Sequence, residues 1–268
     1  MNAQPKGFMH WRIAVFLGFT LAVVASVFFL PRIPQDPEYH LFADNRPAYS
    51  IPNFWNVLSN VPFLIVGLWG LIRTVPRPQT SSFSDACERW PYVLFFLGIA
   101  LTCFGSALYH LSPGNRTLLW DRLPMAVAFM GIFSGTIGDR INPRLGTLCL
   151  GPMLLAGIGS VIYWYLSELN FSGDLRPYIL VQFFTIGAIL LLLALFPARY
   201  THAGWVIGCG SMYTAAKVFE MLDRQLFDML KISGHTLKHL AASLAAVCIV
   251  VMLRRRTYLG SEDTRKAS

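Results

Sequence analysis

Long apolar segments alternate with short polar segments along the whole chain. A helix needs about 20 apolar residues to cross the ~30 Å hydrocarbon core of a bilayer, and eight segments have this character. They lie at about residues 13–30, 54–72, 91–111, 122–138, 145–165, 178–197, 203–221 and 234–253. The intervening segments, such as PRIPQDPE and DRINPRLG, contain helix-breaking and charged residues suited to water. The pattern predicts an all-α, polytopic membrane helix bundle without a second domain.

Composition supports this interpretation and excludes other classes of protein. Hydrophobic residues make up 54% of the 268 and charged residues 13%, which is about half the charged fraction of an ordinary soluble domain. The net charge of +8 is spread in small groups between apolar segments, so it does not indicate nucleic-acid binding. The five cysteines include no CxxC pair and therefore indicate neither a disulfide scaffold nor a thiolate zinc site.

The first apolar segment and the loop charges predict the topology. Residues 1–30 resemble a secretory signal, but their 18-residue apolar core lacks a small-x-small cleavage site, which favours a retained N-terminal transmembrane helix. Thirteen Lys and Arg residues lie at the termini and in the loops after segments two, four and six, compared with seven in the other loops. This asymmetry predicts cytoplasmic termini, a core at 31–253 and a cytoplasmic basic tail at 254–268.

Three histidines near the predicted outer ends of two segments suggest a metal site. His235 and His239 are spaced i, i+4, so their imidazoles project from one helix face and can bind one ion. An ionisable residue at membrane depth is costly and points to function. His110, at the end of another segment, supplies a third ligand. Three histidines with one position left for water are typical of catalytic zinc sites.

Two further polar residues are expected at the same end of the bundle. Ser106 lies one turn before His110, and Asp121 follows a short outer loop. A structural alternative exists for each, because Ser106 could bond a backbone carbonyl of its own helix and Asp121 could be a helix N-cap.

Other polar residues within the apolar segments have structural interpretations. Lys217 and Glu220, spaced i, i+3, are expected to neutralise each other. Asn56, Ser59 and Asn60 are expected to form interhelical hydrogen bonds, with substrate contact as the alternative.

The motifs FGSALYH, WDRLPM and GHTLKH, with NFWNVLSN at 53–60, resemble the alkaline ceramidase family over about residues 40–253. That family belongs to a wider group of seven-helix membrane hydrolases, which includes GPI-anchor lipid-remodelling proteins and the adiponectin and progestin receptors. The resemblance implies a seven-helix ceramidase-like core preceded by one extra N-terminal helix. It also implies zinc ligands at His110, His235 and His239, a water-orienting carboxylate at Asp121 and an active-site hydroxyl at Ser106.

Two departures from the family pattern affect the site. Arg122 stands where family members commonly have Glu, so it could contact an anionic head group, with snorkelling to lipid phosphate as the alternative. The family's calcium-binding acidic segment ends in a Glu, which is Asn53 here. Calcium prefers six to eight oxygen ligands, and Asp44, Asn53 and backbone carbonyls could supply some of them.

The function expected from these features is a zinc-dependent membrane amidase. It would hydrolyse the amide of ceramide or a related N-acyl lipid, taken from the bilayer, to a fatty acid and a long-chain amine. The active site is expected near the outer face of the membrane. Two alternatives remain, a lipid-sensing receptor of the adiponectin/progestin type and a zinc-dependent lipid esterase.

Overall fold

The computed structural model describes residues 6–75 and 82–260, and for residues 6–9 the backbone only. Within this part of the chain helices predominate and no strand is present, so the all-α prediction is confirmed. The α-helices are α1 (Lys6–Phe29), α2 (Phe54–Leu58), α3 (Val61–Thr74), α4 (Arg89–Leu111), α5 (Asn115–Arg140), α6 (Pro143–Leu169), α7 (Arg176–Leu195), α8 (Trp205–Met221), α9 (Asp223–Leu230) and α10 (Gly234–Arg255). Two short 3-10 turns lie at Pro37–His40 and Ala86–Glu88.

Each of the eight apolar segments corresponds to helix in the described residues. Six stretches of the described chain are long and apolar enough to cross a membrane, and these are α1, α2 with α3, α4, α6, α7 and α10. The other two long helices complete the bundle, because α5 packs between α4 and α6, and α8 packs along α10. The extra N-terminal helix α1 lies against α7.

The boundaries differ from the expectation in two places. The second segment is interrupted between α2 and α3, at Ser59 and Asn60. Helix α5 begins at Asn115 instead of residue 122. Its second turn contains the buried charged residues Asp121 and Arg122, whose tertiary contacts a hydropathy pattern cannot show.

Side-chain caps mark the beginnings of α6 and α10, which each follow a short connection. The Asn142 side chain accepts hydrogen bonds from the first amides of α6, where Pro143 follows it. The Ser233 hydroxyl accepts a hydrogen bond from the Thr236 amide at the start of α10. This cap places the HxxxH pair in the first two turns of α10.

Glycines allow close helix contacts beside the candidate site. A Cβ atom at Gly105 would overlap the carbonyl oxygen of Trp120, so α4 and α5 approach closely at this level. A Cβ atom at Gly234 would overlap the carbonyl oxygen of Phe219. These contacts bring α4 close to α5 and α10 close to α8.

The predicted basic tail is only partly outside the bundle. Arg254 and Arg255 are exposed, but Arg256 is buried and its Nη1 lies 2.6 Å from a carboxylate oxygen of Asp139. Its Nε also donates to the carbonyl of Ser82. Arg256 packs with the helices because it has an ion-pair partner there. Residues 261–268 of the predicted tail lie outside the described chain.

Candidate metal centre

The three histidines predicted as zinc ligands lie together at one end of the bundle. His110 is in the last turn of α4, and His235 and His239 are in the first two turns of α10. All three are at most 5% exposed. One ring nitrogen from each lies within 4.8 Å of the others, and the ring centroids are 4.8–5.1 Å apart.

The hydrogen bonding of His110 indicates that this cluster suits a metal ion. Both ring nitrogens of His110 are buried and have no hydrogen-bond partner within the described chain. An imidazole buried without a partner costs free energy, and a metal bound to one nitrogen would remove part of that cost. Neutral imidazole nitrogens are common ligands of zinc, so the three residues fit the expected ion.

Each histidine is held by a polar contact from a neighbouring segment. The Ser59 hydroxyl lies 2.8 Å from Nδ1 of His239. The Asn53 side-chain amide donates to the carbonyl of His110 at 2.8 Å. The Asp223 carboxylate accepts from the His235 amide at 2.8 Å. Such outer contacts orient metal ligands.

The short helix α2 is joined to the start of α10 by Asn56. The Asn56 side-chain oxygen, Oδ1, accepts hydrogen bonds from the hydroxyls of Ser233 and Thr236. The Asn56 side-chain nitrogen, Nδ2, donates to the carbonyl of Asp44. The expectation of interhelical hydrogen bonding is therefore confirmed for Asn56 and for Ser59. Asn60 instead donates to carbonyls of its own segment.

Asp121 and Ser106 lie beside the histidine cluster and face the same cavity as His239. Asp121 is 8% exposed, and its carboxylate has a hydrogen-bonding contact with the Ser106 side chain. Gly114 occupies the N-cap position of α5, and Asp121 lies in the second turn. The N-cap alternative for Asp121 is therefore wrong.

The cavity extends from these polar residues into the apolar part of the bundle. Its volume is about 150 Å³, and helices α3, α4, α5, α7, α8 and α10 contribute to its wall. Asp121 lies at the polar end and Ile132 lies further along α5. These two residues are eleven apart, which at 1.5 Å per residue is roughly 16 Å, about half the hydrocarbon thickness of a bilayer.

Phe42, in the segment between α1 and α2, covers the three histidines. Its ring centroid is 4.6 Å from that of His110 and 4.9 Å from that of His235. The neighbouring Ala43 amide donates to Asp223 and anchors the segment. The sequence did not indicate this cover, because it depends on a long-range return of the chain onto the helix ends.

The guanidinium of Arg122 is enclosed by protein groups. It lies 4.1 Å from the ring centroid of Trp164 and 4.9 Å from that of Tyr178, and its Nη2 donates to Gln35 at 2.7 Å. Arg122 is only 6% exposed, so the snorkelling alternative is wrong. A head-group contact of Arg122 remains a prediction.

The two residues considered for calcium are both used in protein contacts. The Asp44 carboxylate accepts two hydrogen bonds from the Arg46 guanidinium, at 2.8 and 2.7 Å. Burial alone would raise the pKa of Asp44, but the hydrogen bonds from Arg46 hold that pKa below its ordinary value. The side-chain amide of Asn53 is directed to His110. These contacts provide no support for calcium at Asp44 and Asn53.

A second lysine joins the expected pair of Lys217 and Glu220. The expected pair is confirmed, with Nζ of Lys217 2.8 Å from Oε2 of Glu220. Nζ of Lys238 binds the other carboxylate oxygen of Glu220. The sequence contained a signal for Lys238, since a charged residue one position before His239 within an apolar segment should face the interior.

Comparison with known proteins agrees with this geometry. The family model described as Ceramidase matches residues 47–266, a range that includes the three histidines, Ser106 and Asp121. No individual curated protein is significantly similar to the chain. The matched range begins after α1 and covers most of the chain. The chain therefore belongs to the ceramidase family.

Proposed function

We propose that the protein is a zinc-dependent amidase that hydrolyses ceramide or a related N-acyl lipid to a fatty acid and a long-chain amine. Membership of the ceramidase family implies a membrane hydrolase that acts on amide bonds. The observation that carries the zinc dependence is the buried convergence of three histidines. One of them, His110, has no hydrogen-bond partner at either ring nitrogen among the described residues.

His110, His235 and His239 would hold the zinc ion. Zinc in such a site supplies an activated water and a Lewis acid for a carbonyl group. Phe42 covers the histidines and limits their exposure to bulk water, which strengthens electrostatic interactions within the site.

Asp121 and Ser106 would perform the proton transfer and charge stabilisation of amide hydrolysis. The Asp121 carboxylate accepts a proton from the attacking water as the C–O bond forms. It then gives that proton to the nitrogen as the C–N bond breaks, so that the amine leaves neutral. The Ser106 hydroxyl can donate a hydrogen bond to the carbonyl oxygen as negative charge develops there.

The cavity supplies a place for an alkyl chain of the substrate. Its length of roughly 16 Å matches one leaflet of the hydrocarbon core. Leu190 of α7 lines the cavity and is also 52% exposed at the bundle surface, which indicates an opening towards the lipid. A chain already dissolved in the bilayer could enter there without crossing water.

The orientation of the protein is part of the proposal. The excess of Lys and Arg at the termini and in alternate loops supports cytoplasmic termini. Because the histidines lie at the opposite end of α10 from Arg254 and Arg255, the active site would then face the outer side of the membrane.

The test is the hydrolysis of a fluorescent ceramide by zinc-loaded wild-type protein and by the Asp121→Asn variant. Asn preserves the shape but removes the basic carboxylate, so kcat should fall by about 10²- to 10⁴-fold while zinc content stays near the wild-type value. Equal turnover by both proteins would contradict the role of Asp121. Cleavage of the matched ester but of no amide by the wild type would contradict the amidase proposal.

A further inference from the structure

Two lysines in the wall of the cavity form a positively charged cluster beside the metal centre. Lys217 of α8 and Lys238 of α10 line the same cavity as Asp121 and His239. Both ammonium groups bind one carboxylate, that of Glu220. Two cations share one anion, so the cluster carries one positive charge in excess.

Asp121 does not neutralise this excess by direct contact. Across the described residues, Lys238 forms its ion pair with Glu220, and no ion pair within 4 Å includes Asp121. Asp121 attracts Lys238 only through a longer-range interaction, while its carboxylate contacts Ser106. A charge that is only partly compensated in a largely apolar cavity is costly, and a bound anion would reduce that cost.

A third donor lies on the same wall. Tyr213 is one turn from Lys217 on α8 and also lines the cavity. Its hydroxyl is buried and has no hydrogen-bond partner within the described part of the chain. The two ammonium groups and this phenol match the acceptor capacity of a carboxylate, which has two oxygens and about four lone-pair sites.

Arg122 is not among the residues that line the cavity. Its guanidinium is stacked on Trp164 and its Nη2 donates to Gln35, while its Nη1 has no hydrogen-bond partner among the described residues. The cations available to a lipid in the cavity are therefore those of Lys217 and Lys238.

We propose that Lys217, Lys238 and Tyr213 form an anion subsite that selects N-acyl lipids with an acidic head group, such as N-acyl amino acids. The inference rests on the proposed amidase function, because it assigns the substrate class of the same site. The subsite would hold the head-group carboxylate near the metal centre while the acyl chain occupies the apolar part of the cavity. Charge-assisted hydrogen bonds to lysine are roughly twice as strong as neutral ones, so the acidic head group should dominate selection.

The test compares N-acylglycine with its uncharged methylamide of the same acyl chain. We expect wild-type kcat/KM to be at least about tenfold higher for the acid, and Lys238→Gln to lower this acid-to-amide ratio by about 10- to 100-fold, mainly through KM. Lys238→Arg should restore much of the ratio. The matched control is Lys231→Gln, at an exposed lysine on the C-terminal side of α9, which should leave the ratio unchanged.

Lys217→Gln provides an independent variant, since Glu220 then keeps Lys238 as a partner. It should lower the same ratio. A wild-type ratio near one, or a ratio unchanged in both lysine variants, would overturn the subsite.

A binding measurement separates this inference from the proposed function. The two lipids and the free fatty acid are each used to displace a fluorescent lipid from zinc-loaded protein in nanodiscs. If no amide is cleaved but the acid binds more tightly in a Lys238-dependent manner, the amidase proposal fails and the subsite stands. If only the free fatty acid shows Lys238-dependent binding, the cluster serves the product and the head-group inference is overturned.

Discussion

The Ser59→Ala substitution should weaken zinc binding although Ser59 is not a ligand. The Ser59 hydroxyl donates to the carbonyl of Asn56 at 3.1 Å and lies 2.8 Å from Nδ1 of His239. A hydroxyl has one hydrogen, and the carbonyl can only accept. Zinc binding through Nε2 of His239 requires the ring hydrogen at Nδ1, and the Ser59 oxygen is then placed to accept it while the hydroxyl donates to Asn56.

The size of the effect follows from the burial of this contact. Ser59 is 7% exposed and His239 is 3% exposed, so Ser59→Ala leaves a buried N–H without its acceptor, at a cost of about 1–3 kcal/mol. Loss of an outer contact to a zinc ligand typically lowers metal affinity 10- to 100-fold, which corresponds to about 1.4–2.8 kcal/mol. The two estimates agree, and we expect the zinc Kd to rise by about 10- to 100-fold.

The assay is competition for zinc between the purified protein and a chelator of known affinity. Ser243→Ala is the matched control. Ser243, in α10, is buried like Ser59, but its hydroxyl donates to the Leu240 carbonyl of its own helix. That control should change the zinc Kd by less than a factor of two. Ser59→Thr keeps a hydroxyl and should retain most of the affinity. A Ser59→Ala variant with wild-type zinc affinity would refute the role assigned to Ser59.

Three other predictions concern packing, acid stability and topology. Gly105→Ala should destabilise the protein by about 1–3 kcal/mol, because its Cβ would overlap the backbone of α5; thermal unfolding in detergent measures this, and an unchanged Tm would contradict the close contact. Hydrogen bonds from Arg176 outweigh burial and lower the pKa of Asp174, so its contribution to stability should be complete above about pH 4 and decline as pH falls further. Asp174→Asn should reduce that decline in acid unfolding, and an identical pH profile would contradict it. A cysteine beside Asn115 should be labelled from outside the cell and a cytoplasm-dependent reporter after Ser268 should be active, whereas the opposite result at both positions would reverse the proposed orientation.

The sequence predicted the helices well wherever apolar character and membrane depth coincide. It misplaced the start of α5, because Asn115, Arg116 and Asp121 lower the hydropathy of the residues before 122 although the helix includes them. It also missed the interruption between α2 and α3, where Ser59 and Asn60 lie within an otherwise apolar segment. A hydropathy pattern shows the average environment of a segment, but it does not show the partners that allow polar groups to be buried.

The candidate site was predictable to the extent that spacing determines a helix face. His235 and His239 share a face by their i, i+4 spacing, and His110 joins them because the helix ends lie together. The cover formed by Phe42 and the pairing of Lys238 with Glu220 were not predicted. Both depend on contacts between segments far apart in the chain, and no local period encodes them.

The most direct test of zinc-dependent hydrolysis is a titration of zinc into metal-free protein while amide cleavage is followed. Activity should rise linearly and reach a plateau at about one zinc per chain, as a single His110, His235 and His239 centre requires. The triple variant His110→Ala, His235→Ala, His239→Ala should stay at background at every zinc concentration. Full hydrolysis by the metal-free wild type, or zinc-stimulated hydrolysis by the triple variant, would contradict the account.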